Sequence, residues 1–481
     1  MEELVLCRKS TLTNIADSVR SIKGVTGDLR LSDMDDEVGD IVSATWVLDG
    51  SIGGYTDSGI SEFWGVQSLY TVNLPECTRI NANTFYRGNL RSIDIPKCKA
   101  IGVGAFENCN LSFINAPECT RICINAFASC IDLKSVNFPA CKSIEASAFC
   151  ICSNLISASF PECSTVGTSA FYACYKLYSI SFPKCTNIGT AAFSNCRSLT
   201  TVSFPNCTSI DASAFYNCSS LTEASFPVCT SIGSNAFNNC SSLTEVNFPE
   251  CASIGNSAFA YCYSLESANF PECASIGNSA FYGCTSLTEA NFPECIYIGG
   301  GAFSSCKSLT SAYFPKCTST GSSAFYNCSN LTIANFPLLS IANSRIFVGC
   351  SNLASVSFPE CAYIDYYAFS GCKSLTSVDF PKCSKVCGSA FQNCTSLTYV
   401  NLPMCSNIQD RAFSGCTSLS CIVLGWSSMC VLGTASSVFA STPIVSKTGY
   451  IYVPASLVDT YKKATNWAYL STQISAIEDM V

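Results

Sequence analysis

With 481 residues the chain could fill roughly two to four globular domains. Charged residues make up only 12% of it against 48% hydrophobic, so a large core must lie beneath a surface of Ser, Thr and Asn. A net charge of −8 argues against nucleic acid and anionic membranes as partners, and the absence of any histidine removes the Ser-His-Asp and Cys-His catalytic sets.

At the N-terminus, Met1-Glu2-Glu3 is acidic and Arg8-Lys9 breaks the first apolar stretch, so no export signal is read there. Residues 11–41 read as two short helices, one capped at Asn14 with Asp17 and one at Ser32 with Asp35, joined across Gly24–Gly27. Residues 1–45 are thus expected to form a helical segment and 46–65 a linker and N-terminal cap.

From Pro75 the chain repeats itself. Sixteen prolines follow one another at steps of 21 and then 22 residues as far as Pro403, and each is followed ten residues later by a phenylalanine, from Phe85 to Phe413. A period of this length is the mark of a solenoid, whose units cannot bury their apolar faces alone. The fold class expected is a repeat solenoid of about 16 coils with one long parallel β-sheet over residues 66–424. In residues 287–308, Leu287, Ala290 and Phe292 alternate inward as a strand requires, and Pro293 ends the ladder. Then come Cys295, the Ile298-Gly299 corner, an inward Ala302-Phe303 pair and Cys306. The recurrent corner glycine implies either a positive φ or a tight backbone approach. Because the coils are in register, the phenylalanines should stack as a continuous spine.

Most of the 36 cysteines fall into two ladders, one two residues after each proline and one three residues after each phenylalanine. Parallel in-register side chains are held farther apart at Cβ than a disulfide prefers, and Leu339 takes one ladder position, so buried thiols used as small apolar fillers are the favoured reading over disulfides. No C-x-x-C spacing occurs, and neither a metal nor another cofactor is expected.

Between Arg197 and Lys307 there is no base but eight acids, and this acidic belt includes Glu223, Glu245, Glu250, Glu272, Glu289 and Glu294. It reads first as a solvated face and second as a site for a basic partner. The outward strand positions carry an asparagine series from Asn73 to Asn401, suited to hydrogen bonding along the stack. Binding candidates are the departures from it, Tyr313 and Tyr399 with Phe113 and Ile333, because exposed aromatic groups dominate binding energy. A further cluster is Tyr363, Tyr366 and Tyr367, and a set following the core phenylalanines is Tyr172, Tyr216, Tyr282 and Tyr326. Near-identical coils from Leu199 to Leu309 leave no shaped pocket there, which moves specificity toward the ends.

Units such as SLTEANFPECASIGNSAFYGC resemble the BspA-like leucine-rich repeats, with the same L-x-x-hydrophobic-x-hydrophobic-P, I-G and A-F-x-x-C landmarks. Residues 425–481, with Gly449 to Pro454 and then SLVDTYKKATNW, resemble the segment that closes many such proteins: a strand and a helix, with Tyr461 and Trp467 packed on the open end. The resemblance implies a non-enzymatic microbial surface adhesin that contacts a protein or glycan on a host or cell surface, without membrane insertion. Residues 11–41 resemble a small module at the start of tail-associated proteins of phages of gut bacteria, which implies virion attachment and leaves a homo-oligomer through this segment open. A virion protein is made in the cytoplasm and released by lysis, which fits the lack of an export signal. The runner-up is a structural spacer or a self-assembling fibre.

Overall fold

The computed structural model of the protein describes residues 63–480 apart from 66, 68, 69 and 76, together with the backbone of Leu4–Cys7 and Thr45–Leu48. The chain divides into two compact units, 1–229 and 230–481, and each is a parallel β-solenoid built from the same coil. The helices expected over 11–41 lie outside the described residues. Leu4–Cys7 pairs in parallel with Thr45–Leu48, which pairs with Thr71–Asn73, the first strand of the repeats.

One coil illustrates both units. Ser267–Asn269 is a three-residue strand that ends at Phe270-Pro271, where the proline has no N–H for the ladder. A two-residue strand, Ser275–Ile276, follows at the Ile-Gly corner, and tight turns carry the chain through Phe281 to Cys284. Register is strict: Ala158 faces Val136 and Ile180. The sheet read from the segments before the prolines is joined by a second ladder at the corner. It runs from Arg79–Ile80 to Ser209–Ile210 in the first unit, and from Ser231–Ile232 to Ser319–Thr320 in the second. Most of its strands send one polar residue outward and one apolar residue inward, as Ser231–Ile232 and Ser275–Ile276 do, too short a run to register as a period; Ala100–Ile101 and Ser319–Thr320 depart from this.

The turn segment is also bonded between coils. Ser257, Phe259 and Tyr261 donate their N–H groups to the carbonyls of Asn278, Ala280 and Tyr282 at 2.8, 2.7 and 2.7 Å, while Ala258 and Cys262 bond back to Gly255 and Phe259. This alternation pairs the backbone polar groups that burial would otherwise leave unsatisfied. It requires left-handed backbone at Ser257 (φ 54°) and Tyr261 (φ 62°), and equivalent residues recur in the other coils. The corner glycine is not among them. A Cβ on Gly255 would lie 2.6 Å from backbone atoms of Gly233 and Ser234, so close approach is what excludes a side chain there.

Inside, two phenylalanine columns interlock. Phe259 stacks on Phe237 and Phe281 with centroids 5.3 Å apart and meets Phe248 and Phe270 of the other column at 6.2 and 5.8 Å. The cysteines among the described residues are free thiols. Those after the prolines donate to a carbonyl two residues on, as Cys273 does to Ser275 at 3.3 Å. Those after the phenylalanines reach the preceding coil, as Cys284 does to Phe259 at 3.1 Å. Burial pushes the Cys273 thiol up to about 11 and that of Cys317 to about 12, so both stay protonated donors at neutral pH.

At the C-terminal end of the second unit, Tyr450–Val453 continues the ladder after Cys421–Val423, and Ile474–Ala476 adds one more strand. Between them the helix Val458–Lys463 lays Tyr461 against Trp467, ring centroids 4.9 Å apart and both buried. Cys430 N–H donates to the Tyr461 hydroxyl at 2.7 Å, and Trp467 Nε1 donates to Cys430 O at 2.8 Å, so the two aromatics fasten the last segment to the coil before it.

Candidate functional site

The asparagine positions reinforce the sheet where they are adjacent. Asn291 Nδ2 donates to Asn269 Oδ1 at 2.8 Å and Asn401 Nδ2 to Asp379 Oδ1 at 2.9 Å. Against this polar floor, Tyr313 closes the strand Ser311–Tyr313 and Ile333 opens the next strand, Ile333–Asn335. Pairing sets Tyr313 opposite Asn335 and Ser311 opposite Ile333, and the two apolar side chains stand 58% and 52% exposed on adjacent strands. Tyr399 is not part of this patch. It lies four coils away, roughly 19 Å at a strand spacing near 4.8 Å, and is half-buried between Ser377 and Cys421. Burial first, then Cys421 and Asp379, raise its phenol above the ordinary value.

The structure also separates the tyrosine cluster. Tyr363 belongs to the corner ladder, opposite Ile341 and Lys385. Its hydroxyl accepts a bond from Cys387 Sγ at 2.9 Å and Lys385 Nζ sits 5.2 Å from its ring, so most of its polar and π capacity is in use. Tyr366 and Tyr367 lie one turn further on, along a groove. In the first unit Phe113 opens the strand Phe113–Asn115 and is 57% exposed.

The acids fall into two columns. Glu223, Glu245 and Glu289 open strands and are exposed, whereas Glu250, Glu272 and Glu294 follow the prolines. Glu294 Oε1 binds Lys316 Nζ at 2.7 Å across the coil boundary. Among the described residues no three His, Cys, Asp or Glu side chains converge as metal ligands do.

Reading only the second and fourth residues after each core leucine misses the residue directly after it. In the first unit that column holds Lys134, Ile156 and Tyr178 on consecutive coils, linked by backbone bonds from Ile156 to Lys134 (2.7 Å) and from Tyr178 to Ile156 (2.8 Å). Tyr178 is 57% exposed, and nearby in sequence Arg197 lies over the Tyr175 ring at 5.3 Å. Aligning all coils on the leucine would have revealed the column.

Near the C-terminal end of the second unit a groove of about 750 Å³ is lined by Tyr366, Tyr367, Gly388, Asn407, Gln409, Asp410, Arg411, Val431 and Thr434 among others. Gln409 Oε1 accepts Gly388 N–H at 3.0 Å, and Asp410 Oδ1 accepts Thr434 N–H at 2.8 Å. The guanidinium of Arg345 lies 5.7 Å from the Tyr367 ring.

Parallel coils with inward leucines and phenylalanines, displaying short polar strands, define a leucine-rich-repeat scaffold. The chain matches the family described as BspA type leucine rich repeat region (6 copies) over residues 78–200, 164–288, 208–332, 252–361 and 339–457, and it belongs to that family. Proteins of this family are repeat scaffolds, generally without enzymatic activity and typically at the cell surface. Among solved structures, the chain is similar to a leucine-rich repeat protein from Bacteroides ovatus at 25% identity, covering 76% of this chain and 91% of that one, with a TM-score of 0.47. A leucine rich cell surface protein from Faecalibacterium prausnitzii is similar at 23% identity over 75% and 88% of the two chains, TM-score 0.36. A leucine-rich repeat protein from Eubacterium ventriosum is similar at 18% identity over 83% and 91%, TM-score 0.31. No curated protein matches. Among the described residues no helix is long and apolar enough to cross a membrane.

Proposed function

We propose that the chain is a non-enzymatic recognition protein, displayed on a virion through its N-terminal segment or on a microbial surface, that contacts a protein or glycan of a host surface. The observation that carries this reading is the Tyr313–Ile333 pair, two large apolar side chains more than half exposed on adjacent strands whose other outward residues are Ser and Asn. Such groups cost solubility and bring no packing in return, while amphipathic tyrosine is a frequent anchor of binding surfaces. The resemblance of residues 11–41 to a phage tail module supports the virion setting, and membership in the BspA-type family supports surface display.

The test is flow cytometry of the fluorescently labelled full chain on a panel of gut bacteria and epithelial cells. Binding that falls about tenfold or more in Tyr313→Ala/Ile333→Ser, with an unchanged circular dichroism spectrum, supports the reading. Unchanged binding in the double variant rejects this face. A second reading, a structural spacer, draws on the side-chain ladders such as Asn291 to Asn269, which tie coil to coil without facing a ligand. Absence of binding to every cell type favours the spacer.

A further inference from the structure

The corner column changes character at the C-terminal end of the second unit. Where earlier coils place Asn278 or Ser322, the last ones place Tyr366, Gly388 and Asp410 on successive coils, followed by Arg411. A Cβ on Gly388 would lie 3.2 Å from the Asp410 carbonyl and 3.4 Å from the Tyr366 ring, so a side chain there would crowd that ring, and the tyrosine is 47% exposed. Directly beyond the glycine stands Asp410. Its Oδ1 is occupied by Thr434 N–H, which fixes the carboxylate, and its Oδ2 makes no bond among the described residues. Arg411 is exposed and forms no ion pair among the described residues, and Asn407 adds an amide to the same groove.

We infer that this groove is a saccharide site for a neutral hexopyranose of a glycan. The apolar C–H face of such a ring lies against an exposed aromatic face, while vicinal hydroxyls, each both donor and acceptor, match a carboxylate, a guanidinium and an amide set around it. Phosphate or a nucleotide is disfavoured by the fixed carboxylate of Asp410. An apolar peptide finds a single exposed aliphatic contact, Val431, because Ile408 and Leu432 on the groove wall are themselves buried in the core. The volume, about 750 Å³, falls within the range of small-molecule clefts. These residues do not overlap the Tyr313–Ile333 face, so the site stands on its own observations.

The experiment is saturation-transfer NMR on the full chain with four probes: the methyl glycosides of glucose, galactose, mannose and N-acetylglucosamine. At least one is expected to receive saturation at its ring protons. The signal should be lost in Tyr366→Ala and in Gly388→Val, which crowds the ring, while Asp410→Asn, which keeps the bond to Thr434, should weaken affinity about tenfold. Tyr366 is a surface residue, so its variant remains a fair test if Gly388→Val fails to fold. No transfer to any of the four, or transfer unchanged in Tyr366→Ala, overturns the site. If cell binding still depends on Tyr313 while no glycoside binds, only the groove is refuted; glycoside binding with cell attachment indifferent to Tyr313 and Ile333 refutes only the sheet-face reading.

Discussion

The residue after each core leucine is put to two uses, and the three coils at Lys134, Ile156 and Tyr178 in the first unit differ from most coils of the second. In the second unit it is mostly threonine, and Thr288, Thr310, Thr332 and Thr398 turn their hydroxyls back onto a carbonyl of the preceding coil at 3.0, 3.4, 2.9 and 3.0 Å. In the first unit Ser112 and Thr222 do the same, to Arg91 and Thr200 at 3.0 Å, but between them three consecutive coils hold Lys134, Ile156 and Tyr178, which carry no hydroxyl at that place and add only their main chain to the ladder. The backbone does not register the change: Tyr178 N–H to Ile156 O is 2.8 Å and Thr332 N–H to Thr310 O is 2.9 Å. Coil-to-coil bonding by the main chain therefore leaves the side chain free either to reinforce the stack or to face outward. Outward residues of this column can change on such a scaffold without disturbing the main-chain ladder.

The largest effects should be those on which the two units do not differ. Phe259→Ala in the second unit and Phe193→Ala in the first each remove a ring stacked on two neighbours, at 5.3 Å on both sides for Phe259 and at 5.2 and 5.3 Å for Phe193. Each should cost about 3–5 kcal/mol in denaturant unfolding. A cost below about 1 kcal/mol at either site would show that the core is not shared.

Next comes the thiol population, again common to both units. Burial holds Cys98 and Cys273 up to about 11, above the ordinary thiol value of 9.0. The folded state thus favours the protonated thiol. This contribution to stability is fully present below pH 9 and is lost as the pH rises through about 11. Melting temperatures recorded from pH 8 to 11 should fall across that window, and at pH 8 the native ladder thiols should resist alkylation until the protein is unfolded.

A smaller effect belongs to the second unit alone. Tyr461→Phe removes the acceptor of Cys430 N–H and should cost about 1–3 kcal/mol, read as faster amide exchange at Cys430. Smallest is the pair that separates the two uses of the column after each core leucine. Thr332→Val should lose about 0.5 kcal/mol with its hydroxyl bond, and Tyr178→Thr should leave the melting temperature within error.

The sequence makes the coil legible because proline, phenylalanine and cysteine recur at fixed offsets, and their inward positions follow from the strand period. The second ladder is not legible in this way, since two residues such as Ser275–Ile276 carry no period. The left-handed turns are legible in part. Glycine marks them at Gly301, Gly283, Gly349, Gly371 and Gly415, whereas Ser257 and Tyr261 fill the equivalent positions and are held there by hydrogen bonds to the next coil. Tyr313 and Ile333 are readable as departures from a polar column, yet their adjacency depends on register. The groove is hardest to read, because it joins Tyr366, Gly388 and Asp410 from three successive coils.

The direct test of display without folding cost sets two double variants side by side, Tyr313→Ala/Ile333→Ser and Thr310→Val/Thr332→Val, each measured for melting temperature and for binding to cells that bind the wild type. The first should lose binding about tenfold or more and melt as the wild type does; the second should melt lower and bind unchanged. A first variant that melts lower while binding normally would contradict the account.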